Sequence, residues 1–224
     1  MGGVLIILSI TITTLLVADL SNLYIWVLLF VLISTGALGF IDDYRKVVYK
    51  DSKGLPPRAK MLAQSAIAIG TGLFLVYVVK MPNTTEVVVP FFKMIQHPFG
   101  IIGFLIITYF VIVGSSNAVN ITDGLDGLAP GLLMITLFAL TLIAASILDT
   151  PIALFLALWL GGLIAFLYLN TYPARIHLGD VGALSFGATL AVIALLLGKV
   201  VAVVVISGVF ILEIATSSIQ MFGK

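Results

Sequence analysis

Long apolar stretches interrupted by short polar clusters set the pattern of this chain. A helix that crosses the hydrocarbon core of a bilayer needs roughly 17–25 mostly apolar residues. Eight runs approach that length: 3–18, 23–41, 60–80, 100–118, 127–147, 151–169, 182–198 and 200–220. Lipid offers the backbone no hydrogen-bond partners, so each isolated run is predicted to be an α-helix. Between residues 82 and 99 the pattern changes to a β-branched and aromatic stretch, Thr84-Thr85-Glu86-Val87-Val88-Val89-Pro90-Phe91-Phe92-Lys93. A small hairpin on the outer surface is expected there. No internal repeat is visible, so an inverted-repeat architecture has no support. The predicted fold is an all-α polytopic membrane protein of about eight spans, forming one domain over residues 1–224.

Composition sharpens this. Hydrophobic residues make up 61% and charged residues 9% of the 224, far below the roughly 25% charge of soluble domains. A net charge of +1 argues against a nucleic-acid partner, which needs a basic surface. The chain has no cysteine, so disulfides and thiolate metal sites are excluded and any metal must take oxygen or histidine ligands. Such hard donors favour Mg²⁺ or Mn²⁺.

The basic residues set the orientation. Arg45, Lys46, Lys50, Lys53, Arg58 and Lys60 follow the second span, and alternation adds Arg175 and Lys224 to the same side, leaving Lys80, Lys93 and Lys199 opposite. By the positive-inside rule the eight mark the cytoplasmic face. Six of the ten acids fall there too. Acids clustered at one face suit a charged ligand or cation held at the surface. A transport pathway would instead place acids near the bilayer midplane.

Three clusters on that face carry candidate chemistry. Asp42-Asp43 ends the second span. Adjacent carboxylates repel, so the pair implies a nearby cation, or a helix end balanced by Arg45 and Lys46. Asn117-Ala-Val-Asn120-Ile-Thr-Asp123-Gly-Leu-Asp126-Gly supplies two amides, two acids that share a face if helical, and two glycines that admit close backbone approach. An acidic N-cap of the next helix would explain only one of those acids. Asn170-Thr-Tyr-Pro-Ala-Arg175-Ile-His177-Leu-Gly179-Asp180 adds a guanidinium suited to phosphate, a histidine that can stack, donate or titrate, and Asp180. Glu213, within the last span toward its inner end, either serves a site, pairs with Lys46 or Arg175, or sits near enough to the interface to be hydrated. Carboxylates, lysines and glycines in a cytoplasmic bowl suit Mg²⁺-dependent chemistry on a diphosphate, and the membrane setting points to a lipid as one substrate.

At these motifs the chain closely resembles the polyprenyl-phosphate N-acetylhexosamine-1-phosphate transferases. The matching stretches run Gly39–Lys46, Asp51–Lys60, Val87–Lys93, Asn117–Ala129 and Asn170–Gly182, and similarity extends along nearly the whole sequence. The branch it most resembles implies transfer of phospho-MurNAc-pentapeptide from UDP-MurNAc-pentapeptide to undecaprenyl phosphate, giving lipid I and UMP in the first membrane step of peptidoglycan synthesis. The runner-up branch transfers GlcNAc-1-phosphate to the same kind of lipid. A membrane transporter and an inert fragment are the alternatives of another class. The resemblance implies Asp42, Asp43 and Asp180 as catalytic residues, with Asp42 as base for the lipid phosphate, and Asp180 and Asp43 as Mg²⁺ ligands. It implies Lys46, Lys60, Asn117, Asn120, Asp123, Asp126, Asn170, His177 and Gln220 as substrate-binding. Whether Asp42 acts as a base in one displacement or as a nucleophile in two stays open. The resemblance further implies a multi-pass protein of the bacterial inner membrane among membrane lipids, its site facing the cytoplasm, and a homodimer in the full-length enzyme. Two departures stand out. Family members have about ten spans and a histidine-bearing cytoplasmic loop absent here, so this chain is expected to be a fragment lacking both ends. His177-Leu178 also replaces the common Phe-Met, where the Phe is associated with uracil stacking.

Overall fold

The computed structural model describes residues 2–51, 53–80, 86–88, 96–98 and 100–222. Among the described residues nine α-helices follow in order: α1 (Gly2–Val17), α2 (Leu23–Val47), α3 (Pro57–Phe74), α4 (Gly100–Thr122), α5 (Leu128–Ser146), α6 (Thr150–Asn170), α7 (Gly179–Leu196), α8 (Val200–Ile206) and α9 (Gly208–Phe222). A π-helical stretch, Leu75–Val79, prolongs α3 to Lys80, which takes the left-handed conformation that ends it. The expected hairpin is present: β1 (Glu86–Val88) pairs antiparallel with β2 (Gln96–Pro98), Val87 opposite His97.

Among the described residues six helices, α2 to α7, are long and apolar enough to cross a membrane, and the chain is a multi-pass membrane protein. The first expected span is present as α1, a shorter apolar helix of 16 described residues. One expected span differs. The last, expected over 200–220, is divided: Ser207 leaves the helical conformation at φ −86°, ψ 14°, and α9 begins at Gly208, a poor helix former. The fourth run continues to Thr122 beyond its expected end at 118, which carries Asn117 and Asn120 on the last turns of α4.

The centre of the bundle is α7. Each residue from Val181 to Leu196 is buried, against α2, α4 and α1 among others. Helices in lipid gain little from hydrophobic transfer on association, so close backbone approach and dispersion must hold them. The small residues of α7 allow this. A Cβ at Gly187 would collide with the Ser115 carbonyl and approach Ser116 Cα at 2.7 Å on α4, and one at Gly39 would strike the Asp180 backbone. Gly3 and Gly182 meet in the same way between α1 and α7. On the far side Trp159 of α6 lies fully buried, its ring 5.0 Å from that of Phe186. The α1 start is tied to the same centre, with Gly2 and Gly3 amides donating to the His177 and Leu178 carbonyls at 2.7 and 3.0 Å.

Helix ends are set locally. The Asn22 side chain accepts from the Tyr24 amide to start α2, and Asp149 accepts from Ile152 to start α6, with Pro151 in its first turn. Because α2 to α7 alternate in direction, the ends of α2, α4 and α6 and the starts of α3, α5 and α7 gather at one face.

Two glycines should behave oppositely in thermal unfolding of the detergent-solubilised chain. Gly187→Ala is expected to cost about 1–3 kcal/mol through overpacking at the α4–α7 contact. Gly161→Ala meets nothing within 4 Å on α6 and should be neutral or stabilising by about 0.5–1 kcal/mol. Equal shifts would mean that the α4–α7 contact is not tight.

Candidate active site

The gathered helix ends bring the acids together. Asp42 and Asp43 lie on the last turns of α2, Asp180 on the first turn of α7, and one ligand atom from each sits within 4.8 Å of the others. Asp42 is 1% exposed and Asp43 9%. Carboxylates so close and so buried need neutralisation. Two lysines supply part of it. Lys46 Nζ lies 2.6 Å from Asp42 Oδ2 and 3.1 Å from Asp180 Oδ2, while Lys60 Nζ, from the first turn of α3, lies 2.7 Å from Asp180 Oδ2 and 3.8 Å from Asp42 Oδ2. Asp42 Oδ2 takes these contacts as ion pairs only, without a well-angled hydrogen bond.

Backbone geometry fixes the acids further. Asp43 Oδ2 accepts from the Val181 amide at 3.3 Å, a free donor at the positive end of α7. Gly179 precedes it at φ 72°, and a Cβ there would run into the Asp43 carboxylate. Asp42 Oδ1 accepts from the Leu55 amide at 2.6 Å, and at Gly54, φ 60°, a Cβ would stand 2.6 Å from the same oxygen. The turn through Gly54 and Leu55 therefore covers Asp42.

Beside this cluster opens a polar cleft of about 410 Å³, lined by Asp43, Asn120, Asp123, Asp126, Asn170, His177 and Asp180 among others. The expectation that Asp123 and Asp126 share a helical face does not hold, because residues 123–127 form turns between α4 and α5. Asp123 turns inward beside the Gly179 amide. Burial, then the Asp180, Asp43 and Asp126 charges, push its carboxyl up to about 7 against a partial offset from that amide. Asp126 turns outward: Oδ2 accepts from the Ala174 amide at 3.0 Å, and Oδ1 lies 3.7 Å from His177 Nδ1. Neither acid caps α5, whose N-cap is Gly127 at φ 78°.

Other expected site residues divide. Asn120 lines the cleft with no hydrogen-bond partner among the described residues. Asn170, 2% exposed, is committed on both sides, its Oδ1 accepting from the Gly127 amide at 3.1 Å and its Nδ2 donating to the Ile176 carbonyl at 2.8 Å. It braces the cleft wall. Asn117 stands away from the cleft, donating to Gln64 Oε1 at 3.0 Å and to the Val113 carbonyl at 2.8 Å. The Gln220 side chain lies outside the described residues. Among the described residues Glu213 forms no ion pair with Lys46 or Arg175. Sequence reading passed over Gly54, Leu55 and Gln64. Only Gln64 left a signal, as a lone amide inside an apolar run.

The acids outnumber the lysines that face them, and every donor oxygen is hard, so Asp43 and Asp180, with Asp42 behind them, fit a divalent cation. Asp123 titrates with its neighbours' charge. Its folded pKa, about 7, stands above the ordinary 3.8, so ionising it opposes folding, and that opposition grows as pH rises from about 4 to 7. With chelator present, Asp123→Asn should raise the melting temperature more at pH 8 than at pH 5. A gain that is larger at pH 5 would contradict the inward placement of this carboxyl.

Residues 24–198 match glycosyl transferase family 4. Curated relatives from Neisseria meningitidis serogroup C (strain 053442) and Neisseria gonorrhoeae (strain NCCP11945), both named phospho-N-acetylmuramoyl-pentapeptide-transferase, are 42% identical over 236 aligned residues. The alignments take in 99% of this chain and 66% of each relative, so the chain spans just under two thirds of their length. The matched region runs from the start of α2 through α7, holding every helix that contributes an acid to the cluster, and the chain belongs to glycosyl transferase family 4.

Proposed function

We propose that this chain forms the membrane core of an enzyme that transfers phospho-MurNAc-pentapeptide from UDP-MurNAc-pentapeptide to undecaprenyl phosphate, with Mg²⁺, releasing UMP and forming lipid I. The observation that carries this reading is the meeting of Asp42, Asp43 and Asp180 with Lys46 and Lys60 beside a polar cleft at one face of a helical membrane bundle. The relatives' name supports the substrate class. The excess of basic residues on the cluster side supports a site facing the cytoplasm of a bacterial inner membrane. A homodimer of the full-length enzyme belongs to the same proposal.

In this reading Asp43 and Asp180 hold the metal, which when bound neutralises charge on the transferring phosphates. Lys46 and Lys60 already touch Asp180 and are placed to exchange that carboxylate for phosphate oxygens. The lipid phosphate oxygen bonds to the sugar-linked phosphorus, and the bond to the UMP oxygen breaks, UMP leaving with the electron pair. Asp42, 2.6 Å from Lys46 Nζ, is the base of this scheme and takes the proton of the lipid phosphate. It reaches the lipid phosphate only when the Leu55 amide releases Oδ1. Asp123 and Asn120 face the cleft where the donor's sugar and nucleotide would lie, and His177, 71% exposed at the rim, offers an imidazole face for the uracil.

UMP release in detergent with Mg²⁺, undecaprenyl phosphate and either UDP-MurNAc-pentapeptide or UDP-GlcNAc tests the reading, on this chain and on a full-length relative carrying the same motifs. Release with the pentapeptide donor alone is expected. Release with UDP-GlcNAc alone would move the chain to the GlcNAc-1-phosphate branch. In whichever protein turns over, Asp180→Ala should lower the rate at least roughly 100-fold at every Mg²⁺ concentration. Near-normal turnover would remove Asp180 from the metal site.

A further inference from the structure

One helical turn beneath the ion pairs lies a second polar link between the same helices. Gln64 follows Lys60 by one turn on α3, and Leu184 follows Asp180 by one turn on α7. Gln64 is 2% exposed and Ser116, on α4 between them, 1%. Gln64 Nε2 donates to Ser116 Oγ at 3.3 Å, and Ser116 Oγ donates onward to the Leu184 carbonyl at 2.9 Å. Asn117 Nδ2 donates to Gln64 Oε1 at 3.0 Å, so both ends of the Gln64 amide are engaged.

Apolar contacts alone set the height of one helix against another weakly, since a slide exchanges one methyl for the next. A buried amide is different, because leaving it unpaired beside hydrocarbon is costly. The height of α3 matters for Lys60. One residue of axial slip moves its helix position by about 1.5 Å, which is comparable with the 2.7 Å contact it makes with Asp180. We propose that Gln64, acting through Ser116, is a positioning residue that locks α3 against α7 and so keeps the Lys60 ammonium on Asp180. Asn117, expected to bind substrate, also touches this lock through Gln64 Oε1. The bearing of the lock on turnover rests on the function proposed above, whereas the placement of Lys60 does not.

The test reads Lys60 directly. The full chain in detergent, with chelator, is pulse-labelled with an amine-acylating reagent, and modification of Lys60 and Lys46 is followed by mass spectrometry. Lys46 sits on α2 beside the same acids and serves as the internal reference. Gln64→Met keeps the length and apolar packing but removes both hydrogen bonds. It should raise the Lys60-to-Lys46 labelling ratio roughly threefold or more, as expected for losing one net hydrogen bond. Ser116→Ala cuts the link at its centre, should shift the ratio the same way, and decides the matter if Gln64→Met fails to fold. An unchanged ratio in a folded variant would overturn the proposal. So would a parallel rise at both lysines with a lowered melting temperature, which would mean general loosening.

Discussion

A helix buried on every side has no water to satisfy it and no lipid to slide against, and α7 is in that position from Val181 to Leu196. Its neighbours approach as closely as glycine permits at Gly39, Gly182 and Gly187. The arrangement of the acids follows from this contact. Asp180 can meet Asp42 and Asp43 only because nothing larger than hydrogen stands between α2 and the start of α7. The backbone amide of Val181 reaches the Asp43 carboxylate for the same reason. Tight packing in the membrane thus sets the geometry of charge at its surface.

That geometry is electrostatically incomplete. Two lysines answer the three acids of the cluster, and the Asp123 carboxyl behind them is held up by their charge and by its own burial. A site that leaves carboxylates under-compensated is poised for a cation, and the lysines that stand in for part of it are flexible enough to turn toward another anion. Stability and ligand binding are therefore in tension here, as expected where charge is gathered for use.

Much of this was legible in the sequence, for reasons that can be named. Spans announce themselves because lipid demands apolar length, and the acids at their ends stood out because a greasy chain has few charges. The hairpin was visible in its β-branched run. What was not legible depended on distance in space. The turn at residues 123–127 splits two acids that spacing alone placed on one face, because glycine-rich segments end helices without an apolar signature. The break at Ser207 is a single residue inside continuous hydrophobicity. Asn117 and Asn170 show in one dimension only as amides suited to a ligand. Their partners, Gln64 for one and the Gly127 amide with the Ile176 carbonyl for the other, give each a structural contact that spacing does not reveal.

The turn at Gly54 and Leu55 gives the acids different accessibilities. Asp43 and Asp180 border open water in the cleft, but Asp42 lies behind a backbone amide. A group shielded in this way is silent until the chain in front of it moves, so the order of events at the site becomes a property of a short connection rather than of the acids themselves. For the proposed chemistry, the backbone at Gly54 and Leu55 would then be as much a part of the site as the carboxylate it covers.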